Sequence, residues 1–266
     1  MSLRHAPLMY IFFETSKLEQ QRDLFERVVG LPVIEVEPHL PHHHHGVLKY
    51  DAGDFIVSLN LSGASRFPKS GSDAVVTVFG TGPSFSPERL REAPQLARGN
   101  GGPVFTDTQG HHFVFRPAKG GAAPPWPVVE ELRLTVSDLE ASVGYYRDTL
   151  GFELLGRTAR DATFATGNLP LVLEAGASAP DGRRPLYNTY LIVFYCGELE
   201  ETVSAMSGRG LEFKSKRVDY NDVGGTVRFD DPDGHRFCLY KPSEESLTWE
   251  SGPKVLEIAA GHAPAR

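Results

Sequence analysis

Ten histidines are spread unevenly along this 266-residue chain, and histidine is the side chain best suited to hold a metal or move a proton near neutral pH. His42 to His45 form an unbroken run, with His39 just upstream, among Pro38, Pro41 and Gly46. Successive strand residues point to opposite faces, so four adjacent histidines meet at one ion only from an irregular loop. The run reads as a solvated connection that can take up nickel or zinc adventitiously. His111 and His112 lie at one hairpin turn and His235 at a matching one, as turn residues. His262 falls in a Gly/Ala/Pro-rich tail. The second half thus holds only His235 and His262, which cannot assemble a two-histidine, one-carboxylate iron site.

The second group that could do chemistry is a set of polar residues at alternate positions. Glu131, Arg133 and Thr135 alternate with Leu132, Leu134 and Val136, the pattern of a strand with one apolar and one polar face. If the strands of the second half curl around a cavity, that polar face also carries Asn188, Tyr190 and Ile192. It gains Thr226, Arg228 and Asp230, then Arg236, Cys238 and Tyr240, and Val172 and Glu174 on a further strand. Charged and aromatic groups against apolar walls suit a small-molecule pocket; the plain alternative is a one-sided sheet with its polar face in water. The first half places Tyr10, Phe12, Glu14, Ser58 and Asn60 inward. Cys238 reads as a buried, inert thiol, and Glu131 has a simple ion-pair reading with Arg133 or Arg236.

These residues need a scaffold, and the sequence shows it twice. The segment PAKGGAAPPWP, Pro117 to Pro127, is the linker: rich in Pro and Gly and without periodicity. After it come a strand from Glu131 to Val136, a helix opened by Ser137-Asp138 and closed by Gly151, and three strands, Phe152–Thr158, Asp161–Thr166 and Leu169–Glu174. The scheme restarts with Tyr187–Tyr195, a helix over Glu198–Ser207, and strands Leu211–Val218, Thr226–Asp230 and Arg236–Tyr240, the last two joined by the turn Asp231-Pro-Asp-Gly234. The first half repeats this more loosely, its second quarter short by one strand. Phe25 and Tyr146, like Gly30 and Gly151, are 121 residues apart, and Val114 and Cys238 are 124 apart. That spacing is a duplicated domain, well beyond the roughly 20–50-residue period of solenoids. The expected class is α+β: tandem βαβββ modules forming two curved mixed-sheet domains. Residues 1–117 make domain 1, 118–127 the linker, 128–242 domain 2 and 243–266 a C-terminal tail.

Bulk properties narrow the partners. A net charge of −7 and no Lys/Arg run argue against nucleic acid. No apolar run nears the ~20 residues that span a bilayer. Two cysteines, Cys196 and Cys238, make no disulfide framework. The expectation is a cytoplasmic monomer or homodimer that meets a small-molecule ligand rather than a membrane.

The run from Leu132 through Val136-Ser-Asp-Leu-Glu and Tyr145-Tyr to Leu150-Gly-Phe, with the closing DPDGHRFCLY of Asp231 to Tyr240, resembles the vicinal-oxygen-chelate superfamily of glyoxalases, bleomycin-resistance proteins and extradiol dioxygenases. The resemblance implies a site on the concave face of paired modules, with metal ligands on the first and last strand of each. Those positions carry Glu131, Glu174, Tyr190 and Cys238 in the second half, and Tyr10, Ser58 and Val114 in the first. The family's histidines are missing. Two readings stand: a protein that binds a small organic molecule in domain 2 without a histidine-held metal, or an enzyme of the lyase, isomerase or dioxygenase kind. In the second, Glu131 and Glu174 hold a divalent ion (Mg, Mn, Zn, Ni or Fe), or one of them, its pKa raised by the other, acts as general base.

Overall fold

The computed structural model describes residues 3–36, 48–61, 75–83, 85–98, 103–119, 124–176 and 190–261. The histidine run at 39–45, Asn188 and His262 lie outside them. The elements follow in the order β1 (Leu8–Thr15), α1 (Leu18–Asp23), β2 (Val33–Val36), β3 (Leu48–Asp51), β4 (Ile56–Leu61), β5 (Val75–Thr81), α2 (Pro87–Glu92), β6 (Leu96–Arg98), β7 (Val104–Asp107) and β8 (His112–Pro117). The second half continues with β9 (Val128–Val136), α3 (Leu139–Gly144), β10 (Glu153–Arg157), β11 (Asp161–Ala165), β12 (Leu171–Ala175), β13 (Tyr190–Tyr195), α4 (Leu199–Gly208), β14 (Asp219–Tyr220), β15 (Gly224–Asp230), β16 (Arg236–Pro242) and α5 (Gly252–Gly261). None of the described helices is long and apolar enough to cross a membrane.

Local chemistry explains the boundaries. The Asp138 carboxylate accepts from the Ala141 backbone N–H at 3.0 Å, satisfying an otherwise orphaned donor at the start of α3. Both α1 and α3 widen into a π-helical turn, over Leu24–Val29 and Tyr145–Thr149, at positions 121 residues apart. Both stop at a left-handed glycine, Gly30 (φ 86°) and Gly151 (φ 80°), a conformation that costs a residue with a Cβ. The strand expected to be missing from the second quarter is the short β6. The strand expected over Leu211–Val218 is irregular instead: Ser215 Oγ turns back to the Arg217 carbonyl at 2.7 Å, and only Asp219–Tyr220 pair with β15.

The modules form two mixed eight-stranded sheets, but across the halves. Sheet I runs β14-β15-β16-β13-β1-β4-β3-β2 and sheet II runs β10-β11-β12-β9-β5-β8-β7-β6. The first module therefore joins the fourth through β1 and β13, and the second joins the third through β5 and β9, both antiparallel. The expectation that each half closes its own sheet is corrected here. Alternation fixes the face on which a side chain lies, not the strand it meets at an edge. One face of each sheet packs with the helices into one apolar core, including Ile11, Phe13, Phe25, Phe113, Leu132, Leu134, Tyr146, Phe194 and Phe237.

Two matching turns clasp the sheets together. Before β16, Asp231 accepts from the His235 backbone N–H (2.8 Å) and the Tyr146 hydroxyl (2.7 Å). The His235 ring bridges Tyr190 Oη (2.7 Å) and the Thr135 carbonyl of sheet II (2.9 Å). Before β8, Asp107 holds the His111 ring at 2.7 Å and accepts from Gln21 at 2.8 Å. Asp233 then accepts from the Ser137 backbone N–H (2.9 Å), and Gln109 from that of Ser16 (2.9 Å). The His111 ring is thus bound through Nδ1, and the His235 ring through both nitrogens, within the fold.

Candidate functional site

Each sheet has a second face, turned away from the helical core and called inner here. On sheet II, β9 supplies Glu131, Arg133 and Thr135. Register places Val78 beside Glu131 and Val76 beside Arg133. Val114 and His112 follow on β8, and Val172 and Glu174 on β12. A bulge at the β5–β9 pairing brings Glu130 over Gly80, where a Cβ would lie 2.4 Å from the Glu130 carboxyl carbon, so a larger residue there would have to displace the Glu130 side chain.

Glu131 is the centre of this face, with 4% of its surface exposed. Arg133 Nε donates to it at 2.5 Å, Arg116 Nη2 at 3.1 Å and Lys119 Nζ at 3.5 Å. Glu174 reaches Arg133 at 3.8 Å and is half exposed. Burial pushes the Glu131 carboxyl up, but Arg133, Arg116 and Lys119 outweigh it and hold the group below the ordinary glutamate range. That corrects the expectation of a base whose pKa is raised by a second carboxylate: cations surround Glu131 more closely than Glu174 does. The simple ion-pair reading with Arg133 holds. Arg116 and Lys119 escaped notice in the sequence because one ends a strand and the other stands in the linker. The repeat spacing contained a signal, since Arg116 lies 124 residues before Tyr240.

The remaining site residues lie on sheet I, so Glu131, Glu174, Tyr190 and Cys238 do not gather around one hollow. Tyr190 and Ile192 pair with Phe13 and Ile11 and face the core rather than the inner face; the alternation was read one residue out of phase. Leu191 and Val193 take the inner positions. Cys238, Tyr240, Arg228 and Arg236 do lie on the inner face, where Arg228 is opposite Cys238 in register and Arg236 is 4.0 Å from Glu14. Burial pushes the Cys238 thiol up to about 11, and burial also raises Cys196, which is the opposite of an activated thiolate.

Residues 243–261 do not trail away as a tail. Helix α5 lies on the inner face of sheet I, with Val255 and Ile258 buried against Met9, Tyr10, Ile56, Val193, Cys238 and Tyr240. An ion pair between Lys49 and Glu35, with side chains 6% and 4% exposed, secures its start. Glu35 also accepts from the Ser251 backbone N–H at 2.8 Å, and the Trp249 ring lies 5.5 Å from the Lys49 ammonium.

Among the described residues, the positions expected to hold a metal carry few metal-type donors. The first- and last-strand positions of sheet II offer Val78, Val114, the arginine-bound Glu131 and Val172 or Glu174. Those of sheet I offer Tyr10, Ser58, Val193 and Cys238. Among the described residues, no three His, Cys, Asp or Glu side chains cluster to hold an ion.

Residues 128–239 match the family model described as Glyoxalase/Bleomycin resistance protein/Dioxygenase superfamily. The chain is 27% identical over 121 residues to the metallothiol transferase FosB of Staphylococcus saprophyticus, covering 42% of this chain and 75% of that protein. In fold it is similar to glyoxalase I of Zea mays, with a TM-score of 0.67 at 14% identity over 97% of both chains. A candidate dioxygenase of Bacillus subtilis matches with a TM-score of 0.65 at 14% identity, over all of this chain and 98% of that one.

Proposed function

We propose that this protein, whose residues 128–239 match the Glyoxalase/Bleomycin resistance protein/Dioxygenase superfamily model, binds a small organic anion on the inner face of sheet II. The observation that carries this reading is the cluster at Glu131. A buried carboxylate holds Arg116 and Arg133, whose side chains remain 27% and 32% exposed. A guanidinium carries five N–H donors in a fixed fork, and Glu131 takes Nη2 of one and Nε of the other. Arg133 also reaches Glu174 at 3.8 Å and Arg116 reaches Glu130 at 3.5 Å, so carboxylates on more than one side orient the exposed donors, which lowers the ordering cost of binding. Val76, Val78, Val114 and Val172 provide an apolar bed beside them. Both halves of the chain build the site, with Arg116 on β8 and Arg133 on β9.

The catalytic alternative assigns proton transfer to Glu131 or Glu174. Nothing favours Glu131 for that role, because three cations stabilise its charged form. A transferase activity of the kind named for the Staphylococcus relative would need chemistry beyond this donor set.

The test is mass spectrometry for a copurified ligand on untagged protein prepared without nickel, together with elemental analysis. The expected result is an organic anion and metal well below one ion per chain. Losing one charge-assisted contact, worth about 1.5–3 kcal/mol, should weaken binding by roughly tenfold or more in Arg133→Ala and in Arg116→Ala. Stoichiometric metal that disappears in Glu131→Gln, or turnover abolished by Glu131→Gln or Glu174→Gln, would refute the reading.

A further inference from the structure

We propose that the first half of the chain holds a second binding site, among its helices, for a small zwitterion of the α-amino acid class. The site is a cleft of about 330 Å³ between the end of α1 and helix α2, lined by Arg27, Val28, Arg89, Glu92, Ala93 and Pro94. That size is at the lower end of the roughly 300–1,000 Å³ of small-molecule pockets. None of these residues belongs to either sheet, so this reading and the one for sheet II can fail separately. The cleft arises from the way α2 is bounded. Pro87 opens the helix. Pro94 disfavours helical backbone at the residue before it, Ala93 is extended (φ −73°, ψ 114°), and α2 stops after six residues. Its counterpart α4 runs for ten, and Arg209, just past its end, donates from Nε to the Thr149 carbonyl at 2.8 Å. Thr149 stands 121 residues after Val28. The longer helix thus ties itself to the end of α3 in the second half, where the shorter one leaves a gap in the first.

The charges around the gap select the ligand. Asp23 takes Arg27 Nε at 2.6 Å and Nη2 at 2.9 Å, and the Gln95 amide donates to the same carboxylate. Arg27 is therefore fixed, with Nη1 uncommitted among the described residues. On α2, Arg91 pairs with Glu88 at 3.5 Å, but the Arg89 and Glu92 side chains have no partner among the described residues, although residues three apart on a helix are neighbours. A cation and an anion side by side, both unanswered, call for a ligand with both signs close together. An anion alone would be repelled by Glu92, and a cation alone by the two arginines. An α-amino acid carries its carboxylate and ammonium on one carbon: the carboxylate would bridge Arg27 and Arg89, whose guanidiniums suit it as forks, and the ammonium would meet Glu92. Val28 and Ala93 are buried and, with Pro94, give its side chain an apolar floor. The carbonyl oxygen of Gln95, next to Pro94 in the chain, is buried without a hydrogen-bond partner among the described residues, a further acceptor at this edge of the cleft.

The test is isothermal titration calorimetry of the full chain with L-leucine, with 4-methylpentanoate, which lacks the amine, and with 3-methylbutylamine, which lacks the acid. L-Leucine should bind at one site per chain, and each half-molecule roughly tenfold or more weakly, for the loss of one charge-assisted contact. Arg89→Ala and Glu92→Gln alter exposed side chains, and circular dichroism should show both folded as the wild type is. Arg89→Ala should weaken L-leucine by roughly tenfold or more, and Glu92→Gln should bring it down to the level of 4-methylpentanoate. Bound L-leucine should slow deuterium exchange over residues 24–30 and 87–95. The proposal is overturned if L-leucine does not bind, if 4-methylpentanoate binds as tightly, if either variant leaves L-leucine binding unchanged, or if the protection falls on β9 instead.

Discussion

Glu131→Gln tests the charged cluster most directly. The substitution keeps the size of the side chain and one carbonyl acceptor, and removes the charge that Arg116, Arg133 and Lys119 share. A hydrogen bond to a charged group is worth about 1.5–3 kcal/mol. Two guanidiniums donate to Glu131, one acceptor survives in glutamine, and both arginines are partly exposed, so solvent screening reduces the total. The expected loss at pH 7 is roughly 2 kcal/mol. With an m-value of about 3 kcal/mol/M in urea, the midpoint should fall by roughly 0.7 M. The pH dependence has a definite sign. The folded-state pKa of Glu131 is depressed, so its contribution is complete above the unfolded value of about 4.3 and is lost as pH falls through the folded pKa. The gap between wild type and variant should be full at pH 7 and should close as the medium becomes strongly acidic. A variant as stable as wild type at pH 7, or a gap unchanged at acid pH, would refute the account.

Lys49→Met alone should destabilise the fold by about 3–5 kcal/mol, because it strands a buried carboxylate. Urea denaturation of the double variant with Glu35→Leu should recover most of that loss, and a double variant no better than the single would count against the pair. Tyr190→Phe should lower thermal stability through the loss of one hydrogen bond to His235, about 1 kcal/mol, and leave ligand titrations unchanged; an altered affinity would place Tyr190 at a ligand after all. With its pKa near 11, Cys238 should be only about one part in a thousand thiolate at pH 8, so a thiol reagent should label native protein slowly, and rapid labelling would contradict its burial. A chain of residues 128–261 alone leaves β9 without β5 and β13 without β1, so light scattering should find it dimeric or aggregated; a folded monomer would show that the halves can close their own sheets.

Much of the scaffold was legible in the sequence, and what was not has physical causes. Glu131, Arg133 and Thr135 were separable from Leu132, Leu134 and Val136 because a sheet with one apolar face writes its period into the chain. Gly30 and Gly151 marked two helix ends because few other residues accept their backbone angles. Tyr190 was misplaced because the run Tyr190-Leu-Ile-Val-Phe is apolar throughout, so alternation cannot set its phase. The partnership of β9 with β5 was not legible, since edge pairing depends on contacts between segments distant in the chain. Helix α5 was hidden by its surroundings. Val255, Ile258 and Ala259 carry a helical stripe, but it is short and is followed by residues with the composition of a loose end.

The two inner faces explain why one duplicated framework arrives at two chemistries. The positions are equivalent and the backbone pairing is the same, so divergence rests on a few side chains. Where sheet II has Glu131 and Arg116, a pair that needs water or an ionic guest above it, sheet I has Tyr10 and Tyr240, whose exposed rings would be costly to leave in water. The chain covers those rings with its own C-terminal helix and leaves the arginine face uncovered by it. A charged cluster tolerates exposure and an aromatic one does not. That difference alone explains why the arginine face stays open to solvent while the tyrosine face is closed beneath a helix.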